Sequence, residues 1–208
     1  RTSVTMPPIP KRALRPWLTF MGDADAAVTV EIHFDMQCPF SKRGWNNIKG
    51  LKGRFEAKQV RVVVQPFALF THQWAWNAHR FITAVGTIKP EKFFDSIDHA
   101  FANQEAYQHA AGRDHTPKEV DAAFAAWGAE LCGNTAEEFA GVMGSDEVAL
   151  AAKEAQRAGI VRGVWSTPTF FVNGMEATAM GSAKTADEWA EFLTPLVGDE
   201  GAGGAGSA

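Results

Sequence analysis

Residues 28–35 read VTVEIHFD, and hydrophobic and polar positions alternate. Val28, Val30, Ile32 and Phe34 fall on one face, and the β-branched content predicts a strand. The next stretch, CPFSKRGWNNIKGLKGRFEAK, changes period: Trp45, Ile48, Leu51 and Phe55 recur at helical spacing. Pro39 suits the first helical position, where no intrahelical N–H is needed. VRVVVQPF at 60–67 reads as a second buried strand. Strand, helix, strand is a βαβ unit and implies parallel pairing.

The middle of the chain is helical. Segments 71–86, 90–104, 116–131, 134–144 and 145–160 each carry helical periodicity. Thr116-Pro117 ahead of Glu119, then Asn134 and Ser145, read as helix starts. Gly144 and Gly159 read as C-terminal caps. TPTFFVNG at 167–174 is a short strand ending in an Asn-Gly hairpin turn, with ATAMG at 177–181 as its predicted partner. TADEWAEFLTPLVG at 185–198 closes the pattern as an amphipathic helix. The predicted order is βαβ, about five helices, ββα: an α/β fold. The proline-rich residues 1–16 read as an extended lead-in, and the Gly/Ala/Ser-rich residues 199–208 as a disordered tail.

Composition narrows the function. The 208 residues, 46% of them hydrophobic, are enough for a core without disulfide staples. A net charge of -4 with no Lys/Arg-rich run argues against nucleic acid. No apolar run approaches the ~18 residues of a membrane span. The chain opens on Arg1 and is expected to be a processed or trimmed form, so a missing signal peptide says nothing of compartment. Two cysteines do not make a disulfide framework.

Cys38 is the first candidate for chemistry. A thiolate is the nucleophile, and the unpaired N–H groups and positive dipole end of a helix start favour it. Ser41 can donate a hydroxyl to the sulfur, and Lys42 and Arg43 add positive charge. An inert, buried cysteine in a strand-to-helix turn fits the local pattern equally well. Pro168 opens a strand although it cannot donate to a ladder. An ordinary trans proline on an edge strand would suffice. A cis Thr167–Pro168 bond would instead leave the Thr167 backbone free to pair with an extended peptide.

FDMQCPFSKRGW, QPFALFTHQWAWNAHR and GVWSTPTFFVNG together resemble the DsbA-like thioredoxin-fold family, over roughly residues 25–197. The resemblance implies a mixed sheet of four to five strands with an all-helical insertion between its βαβ and ββα halves. The halves would be residues 17–70 and 162–198, and the insertion 71–161. It also implies Cys38 at a helix start, cis-Pro168 packed against it, and thiol–disulfide exchange with proteins or small thiols. Two departures stand out. Ser41 replaces the second cysteine, and Ile32 occupies the place where many relatives carry a buried glutamate; Glu31 would face the other side.

Exchange runs through a mixed disulfide. With Ser41 in place, an adduct on Cys38 waits for an outside thiol. Catalysis is therefore expected from Cys38 and Ser41, with Pro39, Phe40, Trp165, Thr167 and Pro168 holding substrate. Phe40, Phe70 and Trp165 could line an apolar groove. His33 or Asp35 could carry protons. Cys132 is a resolving thiol only if its Cα comes within about 7 Å of that of Cys38; otherwise it is a buried helical cysteine. His72 and His79, seven apart, are expected on one helix face, and two histidines do not make a metal site. No tightly bound cofactor is implied; glutathione is a candidate co-substrate, and thiol- or disulfide-containing proteins are the candidate partners. Two other readings stand beside exchange: a glutathione-dependent transferase or isomerase, and a peptide-binding module that has lost catalysis. The resemblance leans toward an extracytoplasmic setting.

Overall fold

The computed structural model describes residues 15–108 and 113–198. The lead-in through residue 14 and the tail from residue 199 lie outside the described residues. One mixed sheet orders five strands β1-β3-β2-β4-β5. They are β1 (Thr19–Met21), β2 (Val28–Phe34), β3 (Val60–Pro66), β4 (Thr169–Val172) and β5 (Met175–Glu176). β2 and β3 run parallel from Val28↔Val60 to Phe34↔Pro66, as the βαβ pattern requires. β4 lies antiparallel on the other side of β2, with Ile32 opposite Phe170.

Helix α1 (Pro39–Lys49) joins β2 to β3. It ends at Gly50, shorter than its apolar spacing predicts, because Gly50 caps it and turns follow to Gly53. Phe34, Trp45 and Phe170 meet edge to face on one side of the sheet. Trp189 of α7 (Ala186–Val197) packs on Phe170 there. Among the described residues, five helices lie between the sheet halves: α2 (Ala75–Ile88), α3 (Phe93–Ala102), α4 (Pro117–Cys132), α5 (Ala136–Met143) and α6 (Asp146–Val161). Among the described residues no helix is long and apolar enough to cross a membrane.

The start signals are largely where the pattern puts them. Thr116 and Glu119 form a capping box on α4, and Ser145 caps α6. The cap of α5 is Thr135, not Asn134, since Glu138 lies three residues beyond it and completes a second capping box. Gly159 is not a cap: α6 runs on to Val161. Its role is close packing, because a Cβ there would fall 2.5 Å from the Phe67 ring. β5 begins at Met175, earlier than predicted. Asn173 (φ 47°) and Gly174 (φ 84°) are the two residues of the turn, so pairing resumes at once with Val172↔Met175.

His79 is fully buried in α2, and neither ring nitrogen has a hydrogen-bond partner among the described residues. Burial pushes its pKa down to about 3 from 6.5. The unfolded chain therefore binds a proton that the native chain refuses. Stability is full above pH 6.5 and is lost as pH falls toward 3. The linkage relation gives a loss of about 3 kcal/mol between pH 7 and pH 4. Urea titrations of the His79→Leu protein should show that much less acid destabilisation over the same interval; parallel pH profiles would contradict it.

Candidate active site

Cys38 ends the chain's exit from β2 and serves as N-cap of α1, with extended backbone (φ -80°, ψ 120°). Pro39 follows at the first helical position. The residue is 3% exposed, and its Sγ donates to the Thr167 carbonyl at 3.2 Å. The Thr167–Pro168 peptide is cis. Pro168 also packs on α1 at Gly44, where a Cβ would stand 3.3 Å from the proline ring. The late strand thus meets the helix start that carries the thiol.

Ser41 is fully buried one turn into α1. The sequence pattern assigns its hydroxyl to the sulfur. In the structure Ser41 Oγ accepts the Asp35 amide at 3.3 Å, and among the described residues no hydrogen bond joins it to Cys38. Its place is to brace the turn rather than to touch the thiol.

Asp35 organises that turn. Its Oδ1 accepts the Gln37 amide at 2.7 Å, and its Oδ2 accepts the Leu69 amide and His72 Nδ1, both at 2.8 Å. The Asp35 carbonyl accepts the Cys38 amide. These three donors hold the buried Asp35 side chain in one orientation. His33 is elsewhere. Its Nε2 bonds Glu31 at 3.0 Å, and its ring stands against Phe67 and Phe171. Burial works against the Glu31 carboxylate, but His33 and Arg162 outweigh it and hold the group below the usual carboxylate range. Of the two candidate proton carriers, the fold brings Asp35 and not His33 to the cysteine turn.

The helical layer holds the turn from beneath. The Gln37 side chain accepts the Trp74 amide at 2.8 Å and donates to the Tyr107 carbonyl at 2.7 Å. Gln104 and the Tyr107 hydroxyl both donate to the Met36 carbonyl. Burial, reinforced by the Asp35 charge, pushes the Tyr107 hydroxyl far above its ordinary range and keeps it a donor. Sequence reasoning missed Gln37, His72, Gln104 and Tyr107 as parts of the site. Their contacts span long stretches of chain, and no local pattern announces them.

Phe40, Phe70 and Trp165 are 56%, 94% and 81% exposed. They are borne on the three segments that surround Cys38: the start of α1, the loop whose Leu69 amide meets Asp35, and the approach to Thr167. His72 precedes α2 and bonds Asp35, while His79 is buried within the helix, so the two do not share a face as expected. Among the described residues no group of three His, Cys, Asp or Glu comes together to hold a metal.

Both cysteines are free thiols. Gln37 touches the start of α2 at Trp74, whereas the Cys132 carbonyl accepts Lys89 Nζ at the far end of that helix. The two cysteines are therefore separated by about the length of α2, roughly 20 Å. That is well outside disulfide range. Burial, only partly offset by Lys89, pushes the Cys132 thiol up. Cys132 packs against the core and is no partner for Cys38 in this fold.

A βαβ–ββα sheet, a cysteine opening the first helix and a proline-led strand against it define a thioredoxin-fold protein. The chain belongs to the family described as Thioredoxin, whose model matches residues 18–194. Solved structures agree on the fold. A Pseudomonas syringae chain named as a candidate protein-disulfide isomerase superposes with a TM-score of 0.74 at 19% identity, covering 86% of this chain and 98% of its own. BdbD from Bacillus subtilis, in its oxidised form, gives 0.68 at 18%, covering 86% and 92%. DsbA2 from Pseudomonas aeruginosa gives 0.61 at 18%, covering 86% and 96%. No curated protein sequence matches the chain.

Proposed function

We propose that the protein is a thiol–disulfide exchange enzyme working through the single thiol of Cys38. The observation that carries this reading is Cys38 at the start of α1, facing Thr167 and Pro168, with no second thiol in reach. The first-turn N–H groups of α1 lack intrahelical partners, and a helix start of this kind favours an anion beside it. The Cys38 thiolate attacks one sulfur of a substrate disulfide. A Cys38–substrate bond forms, the substrate S–S bond breaks, and the other half leaves as a thiolate. Ser41 has no sulfur with which to expel the bound half. An external thiolate such as glutathione then attacks the mixed disulfide, regenerating Cys38 and carrying the substrate sulfur away. The Thr167 carbonyl and the apolar side chains of Phe40, Phe70 and Trp165 hold an extended segment across the thiol.

Disulfide substrates persist outside the cytoplasm, and this reading puts the protein there. A transferase using Ser41 to activate glutathione is disfavoured, because that hydroxyl is buried and bonded to the Asp35 amide. Intact-mass spectrometry after incubation with a peptide disulfide tests the proposal. One adduct on Cys38 is expected, stable until reduced thiol is added. A protein that stays unmodified, or is modified first on Cys132, would contradict it.

A further inference from the structure

We propose that Arg43, laid on the Phe40 ring, reads a carboxylate beside the attacked cysteine, so that the favoured substrates are disulfides with an acidic flank. This rests on the exchange reading above and names its substrate class.

The Arg43 guanidinium stands 5.4 Å from the centre of the exposed Phe40 ring. Its Nε and Nη2 both reach Ser182 Oγ, at 3.3 and 2.7 Å. Ser182 is itself fixed, since Asn47 Nδ2 donates to its carbonyl at 3.0 Å. The planar fork is thus pre-oriented, which lowers the ordering cost of a bidentate contact. A single hydroxyl does not neutralise it. Arg15, Arg54, Arg80 and Arg162 each pair with a carboxylate, whereas Arg43 has none among the described residues. Tying α1 to the 177–184 turn does not require this charge, because Asn47 makes its own bond to that turn.

The surroundings share its sign. Residues 36–55 contain Lys42, Arg43, Lys49, Lys52 and Arg54 and no acid; Lys49 and Arg54 pair with Asp98 and Asp187, which leaves Lys42, Arg43 and Lys52 without a carboxylate among the described residues. Residues 57–90, 155–175 and 177–186, which carry Phe70, Trp165 and Ser182, contain no Asp or Glu either. Asp35 is buried, and its carboxylate is occupied by three donors. The chain as a whole nevertheless carries a net charge of -4, so its acids are placed away from these segments. The dipole of α1 adds to the positive field.

Reach agrees with charge. Arg43 lies five residues past Cys38, about 7.5 Å along the helix axis and about 140° around it, so its long side chain spans the remaining distance. An extended peptide advances about 3.3 Å per residue. A carboxylate one or two residues from the attacked cysteine therefore comes within reach of the fork. An acidic protein segment and glutathione both offer this chemistry. Arg43 takes no part in electron or proton transfer; it acts on binding and orientation.

The test uses the full chain and peptides joined by disulfide to a chromogenic thiol. The peptides are identical but for Glu, Gln or Lys two residues from cysteine. The rate of mixed-disulfide formation on Cys38 is measured at low salt. The Glu peptide should exceed the Gln peptide about fivefold, as for one exposed ion pair, and the Lys peptide should be slowest. The Glu-to-Gln ratio should fall to about one in Arg43→Gln. It should persist in Lys118→Gln, which removes an exposed charge at the start of α4. Equal rates on Glu and Gln peptides together with equal rates on oxidised glutathione and its carboxyl ester, or a preference that survives Arg43→Gln, would overturn the proposal while leaving exchange standing. No mixed disulfide with any peptide would overturn both. Oxidised glutathione against its carboxyl-esterified form distinguishes the sources. A preference confined to glutathione assigns the fork to that small thiol, and one shared by the peptides assigns it to acidic protein segments.

Discussion

A Ser41→Cys protein should form a disulfide between Cys38 and the introduced thiol, and release bound substrate with no added thiol. Position 41 lies three residues past the N-cap, and side chains at that spacing have Cβ atoms ~5–6 Å apart. Cys-x-x-Cys at a helix start is the spacing of a thioredoxin-like redox pair. The wild-type hydroxyl at this place accepts the Asp35 amide, and a thiol of similar size would occupy the same pocket. Once present, it is permanently beside the Cys38 adduct. Intramolecular attack at such a spacing should outrun about 1 mM external glutathione by at least about a hundredfold. Oxidation of a dithiol peptide, absent in the wild type, should appear. Rapid-quench kinetics without added thiol check this. An adduct that persists in Ser41→Cys would mean the two positions are not aligned for exchange.

Replacing Cys38 with alanine should remove exchange altogether. The chain's other thiol, Cys132, is at the far end of α2, so the residual rate should equal that of solution thiols. A loss of about a thousandfold or more is expected, as for removal of a catalytic nucleophile. The fold should survive. Cys38 contributes one small side chain and one bond to the Thr167 carbonyl, and the change should cost about 1 kcal/mol. Initial rates on a glutathionylated peptide, beside a urea melt, separate the two effects. Retained exchange in Cys38→Ala would place the nucleophile elsewhere.

How far the sequence foretells this site depends on the range of each interaction. The alternation of Val28, Val30, Ile32 and Phe34 is local, and all four are fully buried on one sheet face. The capping boxes at Thr116 and Thr185 likewise need only four consecutive residues to act. Cys38 at a helix start was legible because Pro39 and the change of period sit beside it. The neighbours of Asp35 were not. Leu69 and His72 reach it across more than thirty residues of chain, and Tyr107 reaches Met36 across about seventy. Nothing in the periodicity of either segment encodes that meeting. The same limit explains the exchange of roles between His33 and His72. Alternation places His33 and Asp35 on one face but cannot say which meets the loop after β3. β1 was missed for another reason: three residues are too short for alternation to register. The length of α1 was overread because Leu51 and Phe55 continue an apolar spacing past Gly50, where backbone and not hydrophobicity ends the helix.

The central claim is that Cys38 works alone and depends on an outside thiol. The most direct measurement is the release rate of a preformed Cys38 mixed disulfide against external thiol concentration. A straight line through the origin is expected, with the adduct intact when no thiol is present. Release at a measurable rate in the absence of external thiol would show a resolving group within the protein, and would contradict that claim.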